Sequence, residues 1–259
     1  MPLDGKVIVL IGGTTGLGLS AAKAFVQAGA KVFLVGRSQQ SLDLALGQLP
    51  CADGFAADAT HPKSCIQAIE LAIHKFGKFD GLYHVAGGSG RKLGDGPAHE
   101  LTDDGIEYTL NLNLKSVIYS NRAAAQQFVQ QKTSGAVLNM ASVLGWSPAP
   151  KYFATHVYAA AKAGIIGFTK AAAAYYASQN IRFNVIAPAL VDTPTAQRAV
   201  KNDEILRYIQ TKQPLDGGRP GLPEDSDAAA VWFMSDESRF VTGQVLAIDG
   251  GWSVCEGQY

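Results

Sequence analysis

Short apolar segments alternate with longer helix-favouring segments along the chain. The apolar segments, such as the run from Val7 to Ile11, lack polar alternation, which is typical of strands buried on both faces. The stretches between them are long enough to be the crossover helices of a parallel sheet. The segments that we predict to be strands are residues 6–12, 31–35, 54–58, 80–86, 135–141, 181–187 and 244–249.

This alternation predicts an α/β fold built on a doubly wound, Rossmann-type parallel sheet of about seven strands. Proline and glycine are spread through the sequence, and we find no low-complexity run and no repeat at solenoid spacing. We therefore predict a single domain over residues 1–259.

The charge balance narrows the class of partner. The chain has 22 basic and 22 acidic residues, so it lacks the broad positive field that attracts nucleic acid or anionic membranes. The run from Val7 to Ile11 is too short for a signal segment or a membrane span. Three cysteines without a CxxC pair suggest neither disulfides nor zinc. We expect a cytoplasmic protein with a small-molecule partner and no metal.

A glycine-rich turn follows the first predicted strand. Residues 12–18, "GGTTGLG", lie between that strand and a helix, where glycines permit close backbone approach and helix N–H groups face an anion. The segment predicts a phosphate-cradling loop for a dinucleotide, although such a segment alone is also compatible with a simple strand-to-helix turn.

The end of the second predicted strand bears on cofactor choice. Dinucleotide folds that prefer NAD place a carboxylate about 20 residues past the loop, and here the sequence has Gly36 and Arg37. A guanidinium without a neighbouring carboxylate suits a ribose 2′-phosphate. We therefore favour NADP(H) over NAD(H). The alternative is that Arg37 is only a solvated side chain. Thr14 and Thr15 supply no second positive charge for a 2′-phosphate.

The stretch "YAAAK" places a phenol and an ammonium one helical turn apart, at Tyr158 and Lys162. A nearby ammonium favours the phenolate, so the pair could act as an acid–base group near neutrality. Ser142 follows a predicted strand and would emerge at the carboxyl edge of the sheet, where open α/β folds bind ligands. Asn113 falls inside the helix after the fourth strand.

Taken together, these motifs resemble the short-chain dehydrogenase/reductase family, in its single-domain branch, over essentially the whole chain. The family's TGxxxGxG appears at residues 11–18 with Ile11 in place of Thr, and its NNAG appears at residues 84–87 as "HVAG". These departures remove polar side chains that brace the strand ends, so we expect a less rigid loop. The catalytic quartet of the family is complete: Asn113, Ser142, Tyr158 and Lys162.

The resemblance implies a role for each residue of the quartet. Tyr158 would exchange a proton with the substrate oxygen, and Lys162 would lower the tyrosine pKa and bind the nicotinamide ribose. Ser142 would fix the substrate oxygen, and Asn113 would help to hold a water molecule.

The resemblance also implies a set of cofactor contacts. Asp58, at the end of the third predicted strand, would contact adenine, whereas Val191 and Thr193 would hold the carboxamide. The full set of candidate cofactor residues is Gly12, Thr14, Thr15, Gly16, Leu17, Gly18, Arg37, Asp58, Ala86, Gly87, Tyr158, Lys162, Pro188, Val191 and Thr193.

The interval between Ser142 and Tyr158 is a few residues longer than is usual in the family. It carries Trp146, Tyr152 and Phe153, which we expect to wall the substrate cleft and to favour flat or apolar substrates. The alternative is that these rings pack in the core or at a subunit contact. Residues 194–213 would form a second, flexible wall.

Our leading prediction is an NADP(H)-dependent carbonyl reductase or alcohol dehydrogenase. One alternative is a 3-oxoacyl-carrier-protein reductase, which needs a basic rim for its acidic partner; Arg91, Lys92, Lys115 and Arg122 are candidates. Another is a cofactor-binding regulatory or scaffold protein without catalysis. The resemblance also implies a homo-oligomer, either a dimer or a tetramer.

Overall fold

The centre of the structure is one parallel sheet of seven strands in the order β3-β2-β1-β4-β5-β6-β7. It is seen in a computed structural model that describes residues 1–258. The strands are β1 (Val7–Ile11), β2 (Lys31–Gly36), β3 (Ala52–Ala56), β4 (Gly81–His84), β5 (Gly135–Met140), β6 (Ile181–Pro188) and β7 (Val245–Ile248). The predicted α/β fold and its seven strands are confirmed.

The predicted bounds of the third strand were wrong by two residues. β3 pairs with β2 from Ala52 to Ala56, so Asp58 lies beyond the strand rather than at its end. There its carboxylate Oδ1 accepts hydrogen bonds from the backbone N–H and hydroxyl of Thr60, both at 2.8 Å. This local turn chemistry ends the strand before Asp58.

Helices cover both faces of the sheet. They are α1 (Gly16–Gln27), α2 (Gln39–Leu46), α3 (Ser64–Phe76), α4 (Asp103–Leu110), α5 (Ser116–Gln131), α6 (His156–Tyr176), α7 (Gln197–Val200), α8 (Asp203–Lys212) and α9 (Asp227–Met234). None of the helices in residues 1–258 is both long and apolar enough to cross a membrane.

The apolar run of β1 is explained by burial on both faces. Ile8 and Leu10 belong to a core cluster that includes residues of α1, α2 and α9. Val7, Val9 and Ile11 belong to a second cluster, with residues of α3 and α5. Because successive strand side chains point to opposite faces, a strand covered twice must be apolar throughout.

A smaller apolar cluster lies beside the carboxyl end of the sheet. It includes Tyr152, Tyr208 and Trp252, together with residues of α7 and α8. The rings of Tyr208 and Trp252 meet edge to face, with centroids 6.0 Å apart. This cluster anchors the segment 142–158 and the helices that border the site.

Candidate active site

A cavity of about 520 Å³ opens at the carboxyl edge of the sheet. Its lining comes from segments that follow β1, β2, β4, β5 and β6, including Leu17, Arg37, Gly87, Ser142 and Val191. This is the edge at which open α/β sheets bind ligands. The sequence prediction that Ser142 emerges here agrees with the geometry.

Three residues of the predicted quartet line this cavity together: Ser142, Tyr158 and Lys162. The Ser142 hydroxyl interacts with the Tyr158 side chain and favours its ionised form. Ser142 is positioned by two hydrogen bonds, because its Oγ accepts from the Leu144 N–H at 3.2 Å and donates to the Pro188 carbonyl at 3.4 Å. The Nζ of Lys162 lies 5.4 Å from the centroid of the Tyr158 ring.

The pKa of Tyr158 differs from the expectation. Burial raises the pKa of Tyr158 to about 12, and the hydrogen bond with Ser142 only partly offsets this. The expected lowering of this pKa by Lys162 was therefore wrong for the protein alone, since desolvation of the phenol is the dominant effect. Burial also lowers the pKa of Lys162 to about 8, and its Nζ donates to the Met140 carbonyl at 2.9 Å.

Asn113, the fourth member of the quartet, is fully buried behind the cavity wall. It lies in a π-helical turn, Asn111–Lys115, between α4 and α5, and such turns are frequent at functional sites. Its amide donates to the carbonyls of Gly88 and Thr109, and its Oδ1 accepts from the Gly88 N–H. Asn113 thus fixes the backbone that follows β4.

Gly87 lies between the Asn113 side chain and the Lys162 ammonium. A Cβ on Gly87 would lie 2.9 Å from Asn113 Oδ1 and 3.3 Å from Lys162 Nζ. The absence of a side chain therefore lets the strand end approach the buried ammonium closely.

Asp95 is a residue of the site that the sequence reasoning missed. Its carboxylate is buried and accepts the backbone N–H groups of Val157 and Tyr158, each at 3.0 Å. It therefore caps the N-terminus of α6, the helix that carries Tyr158 and Lys162. No sequence spacing could have shown this, because the contact joins residues more than 60 positions apart.

The glycine-rich turn fits a dinucleotide phosphate. A Cβ on Gly12 would lie 2.6 Å from the Ala86 backbone nitrogen, and one on Gly18 would lie 2.0 Å from the Gly12 carbonyl oxygen. Thr15 precedes α1 but makes no side-chain cap, and the first turn has no acidic residue. The helix N-terminus is thus left available to an anion.

The other candidate cofactor residues lie around this turn. Leu17, Pro188, Val191 and Thr193 line the cavity, and Gly16 faces Thr193, since a Cβ on Gly16 would be 3.4 Å from its Cγ2. The Ala86 N–H donates to the Ile11 carbonyl, which ties the ends of β1 and β4 together.

Arg37 lines the same cavity, whereas its neighbour Gly36 does not. Arg37 is exposed and lines the cavity, and within residues 1–258 no carboxylate lies within ion-pair distance of it. Gly36 is buried, and a Cβ there would lie 2.4 Å from the Thr14 side chain. Gly36 therefore leaves no room for a larger side chain, because Thr14 occupies that space. Asp58 is not part of the lining.

His84 corrects the expectation of a less rigid loop. Its Nδ1 lies 2.7 Å from Ser120 Oγ, and its Nε2 lies 3.2 Å from the Ala86 carbonyl oxygen. Burial and then the Lys162 charge lower the pKa of His84 to about 3, so the ring is neutral. The histidine braces the strand end itself, although it departs from the family motif.

The three aromatic residues of the segment 142–158 have different surroundings. Phe153 lines the cavity, as we expected. Tyr152 packs in the core cluster instead, and Trp146 is 43% exposed and is not part of the lining. Trp252, which the sequence did not single out, lines the cavity beside Phe153, with ring centroids 5.6 Å apart.

The four candidates for a basic rim are divided by the structure. Arg91 and Lys92 line the cavity. Lys115 pairs with Glu107 at 3.1 Å, and Arg122 lies over the Tyr119 ring; neither contributes to the lining.

Comparisons with known proteins agree with this fold. A sequence model of the family described as "Enoyl-(Acyl carrier protein) reductase" matches residues 12–253. Dehydrogenase/reductase SDR family member 6 of Rattus norvegicus is 33% identical over 256 residues, which cover 97% of this chain and 99% of that protein. The 3-oxoacyl-(acyl-carrier-protein) reductase FabG of Thermotoga maritima is 31% identical over 255 residues, with coverage of 97% and 99%.

A solved structure leads to the same family. The structure of a short-chain type dehydrogenase/reductase from Mycobacterium ulcerans has a TM-score of 0.90 at 26% identity, covering 99% of this chain and 93% of that one. The chain belongs to the short-chain dehydrogenase/reductase family. It is an oxidoreductase of a family that uses a nicotinamide cofactor.

Proposed function

We propose that this protein is an NADP(H)-dependent oxidoreductase that transfers a hydride between the nicotinamide and a carbonyl or secondary alcohol carbon. The observation that carries the proposal is that Ser142, Tyr158 and Lys162 line one cavity together with Arg37. The cavity thus joins a proton donor to the candidate phosphate-binding residues.

The cofactor supplies the hydride when it is bound, and the protein supplies position and protons. In reduction, the Tyr158 hydroxyl protonates the carbonyl oxygen, while Ser142 Oγ orients that oxygen by a hydrogen bond. The raised pKa of Tyr158 supports this role, because the phenol keeps its proton at neutral pH. Lys162 holds the ribose and provides positive charge beside the phenol. Asn113 holds the Gly88 backbone in place by hydrogen bonds to its N–H and carbonyl groups.

The preference for NADP(H) rests on Arg37. Its guanidinium faces the cavity, and no acidic side chain contributes to the described lining. Such a site attracts a 2′-phosphate and gives the 2′-hydroxyl of NAD(H) no carboxylate partner.

One alternative function is supported by a specific observation. Arg91 and Lys92 are exposed or partly exposed at the cavity, as a 3-oxoacyl-carrier-protein reductase would need for an acidic partner. Lys115 and Arg122 lie away from the lining, which favours a substrate smaller than a carrier protein. An inactive scaffold role is the other alternative, and turnover of any carbonyl compound would exclude it.

The test is an assay of carbonyl and alcohol substrates with NADPH and with NADH. We expect the protein to reduce at least one class of ketone. The kcat/KM for NADPH should be at least about tenfold above that for NADH, because Arg37 makes a charge-assisted contact only with the 2′-phosphate. Absence of turnover with both cofactors, while both bind, would contradict the proposed reaction. Equal use of the two cofactors would contradict the role of Arg37.

The proposal includes a cytoplasmic homo-oligomer, a dimer or a tetramer, with no nucleic-acid or membrane partner. Its support is the zero net charge and the exposed apolar side chain of Leu246 on the edge strand β7.

A further inference from the structure

The charge of the cavity differs sharply from that of the chain. The whole protein has equal numbers of acidic and basic residues. The described lining of the cavity nevertheless contains five cationic side chains and no Asp or Glu: Arg37, Arg91, Lys92, Lys162 and Arg198. A protein without net charge thus concentrates positive charge in one cavity, which raises the local concentration of anions.

Two of these cations are already explained by the cofactor. Arg37 follows β2, and Lys162 lies beside Tyr158. Arg91, Lys92 and Arg198 come from other segments, namely the loop after β4 and helix α7. None of these three has a carboxylate of residues 1–258 within ion-pair distance.

Arg198 is held toward the substrate end of the cavity. Its Nη2 donates to the Tyr152 carbonyl at 3.1 Å, and its guanidinium lies 5.8 Å from the centroid of the Phe153 ring. Both partners belong to the segment between Ser142 and Tyr158. By contrast, Thr193 lies on the cofactor side of the cavity, against Gly16 of the glycine-rich turn. Arg198 is therefore not placed by contacts with the phosphate-binding loop.

Arg91 and Arg198 also act on each other. Partial burial, and then the positive charge of Arg91, lower the pKa of Arg198. Two guanidinium groups that repel each other across a cavity are stabilised when an anion lies between them, because each can donate hydrogen bonds to its oxygens.

From this geometry, and assuming the reaction proposed above, we propose that the substrate is a carbonyl compound bearing an oxyanion, either a carboxylate or a phosphate, which Arg91 and Arg198 bind. Lys92 adds to the positive field at the same edge. Phe153 and Trp252 supply apolar contacts for the remainder of the molecule. This revises the expectation of a purely apolar substrate.

The test compares matched carbonyl compounds that differ in charge. Acetoacetate, levulinate and para-acetylbenzoate are each assayed beside the methyl ester, and para-acetylphenyl phosphate beside para-hydroxyacetophenone. We expect the best anion to have a kcat/KM at least about tenfold above that of its neutral partner, since hydrogen bonds to a charged group are stronger than those to a neutral one. The carboxylate and phosphate series identify which oxyanion is preferred.

Variants assign the effect to the two arginines. Arg198→Gln and Arg91→Gln should each reduce the ratio of anion to neutral kcat/KM, while the KM for NADPH stays unchanged. Arg207→Gln is the matched control, because Arg207 is exposed on α8 and does not line the cavity. A loss of NADPH affinity equal to the loss of anion preference would overturn the proposal, because the cations would then serve the cofactor.

A binding measurement separates this proposal from the proposed function. Benzoate and benzamide are titrated by calorimetry into the protein saturated with NADP⁺. Tighter binding of benzoate that is lost in both arginine variants supports the oxyanion site even if no carbonyl compound is turned over. Equal binding of benzoate and benzamide, or reduction of neutral ketones without preference for any anion, would overturn the site and leave the hydride-transfer function intact.

Discussion

Lys162 is the residue at which burial and charge conflict most directly. It is 3% exposed, and burial lowers its pKa from 10.5 to about 8. In the window between these values the unfolded chain binds more protons than the folded protein, so the folded state gains stability as pH rises. Below about pH 8 the folded protein carries the full cost of the buried charge.

This conflict predicts the pH dependence of a substitution. The variant Lys162→Met has no buried ammonium at any pH, whereas the wild type carries one at about pH 7 and largely loses it by about pH 10. The free energy of unfolding of the variant, relative to the wild type, should therefore be about 2 kcal/mol higher at about pH 7 than at about pH 10. Urea unfolding of both proteins at the two pH values measures this difference. The exposed Lys170 on the same helix provides the control, Lys170→Met. A difference between Lys162→Met and wild type that does not change with pH would show that Lys162 is not held at a lowered pKa.

The cofactor preference is also a residue-scale property. Arg37→Ala should weaken NADP⁺ binding about tenfold or more and leave NAD⁺ binding nearly unchanged, since only the 2′-phosphate loses a partner. Titration by protein fluorescence measures both dissociation constants, and a parallel loss for the two nucleotides would contradict the assignment.

Gly36 requires a paired substitution. Gly36→Asp alone would drive its Cβ into the Thr14 side chain, so we expect weaker binding of both nucleotides. With Thr14→Ala added, the carboxylate should fit and the preference should move toward NAD⁺. An unchanged preference in the double variant would show that this position does not face the ribose.

At the scale of elements, helix α6 depends on a carboxylate from another segment. Asp95→Asn leaves one acceptor oxygen where the carboxylate has two, and the N–H groups of Val157 and Tyr158 need both. We expect a loss of about 1–3 kcal/mol in unfolding free energy and a fall in kcat larger than the change in KM for NADPH.

Asp103→Asn is the control for this prediction. Asp103 is also in the first turn of a helix, but it is exposed and belongs to α4. If Asp95→Asn lowered stability and left kcat unchanged, Asp95 would be a structural cap without a positioning role for Tyr158.

The elements also show what the sequence could and could not predict. Strands such as β1 were predictable because burial on both faces demands an uninterrupted apolar run. The spacing of Tyr158 and Lys162 was visible because it is local to one helix. The role of Asp95 and the presence of Arg91 and Arg198 in one cavity were not visible, since they depend on how distant loops fold over the sheet edge.

At the scale of the whole molecule, the sheet ends in two edge strands, β3 and β7. Leu246 on β7 is 38% exposed, and an apolar side chain on an edge strand is usually covered by another element or subunit. We expect light scattering to give two or four times the chain mass of 27.3 kDa, and Leu246→Glu to shift the population toward smaller species. A mass of 27.3 kDa for the wild type would contradict the proposed oligomer.

In the proposed reaction, Tyr158 is the proton donor in hydride transfer to a carbonyl. Tyr158→Phe keeps the ring and removes only the hydroxyl, so the direct measurement is NADPH oxidation by this variant with the best ketone substrate. We expect a fall in kcat of at least about 100-fold, with an NADPH dissociation constant within about threefold of the wild type. A variant that binds NADPH normally and keeps most of its turnover would show that Tyr158 is not the proton donor.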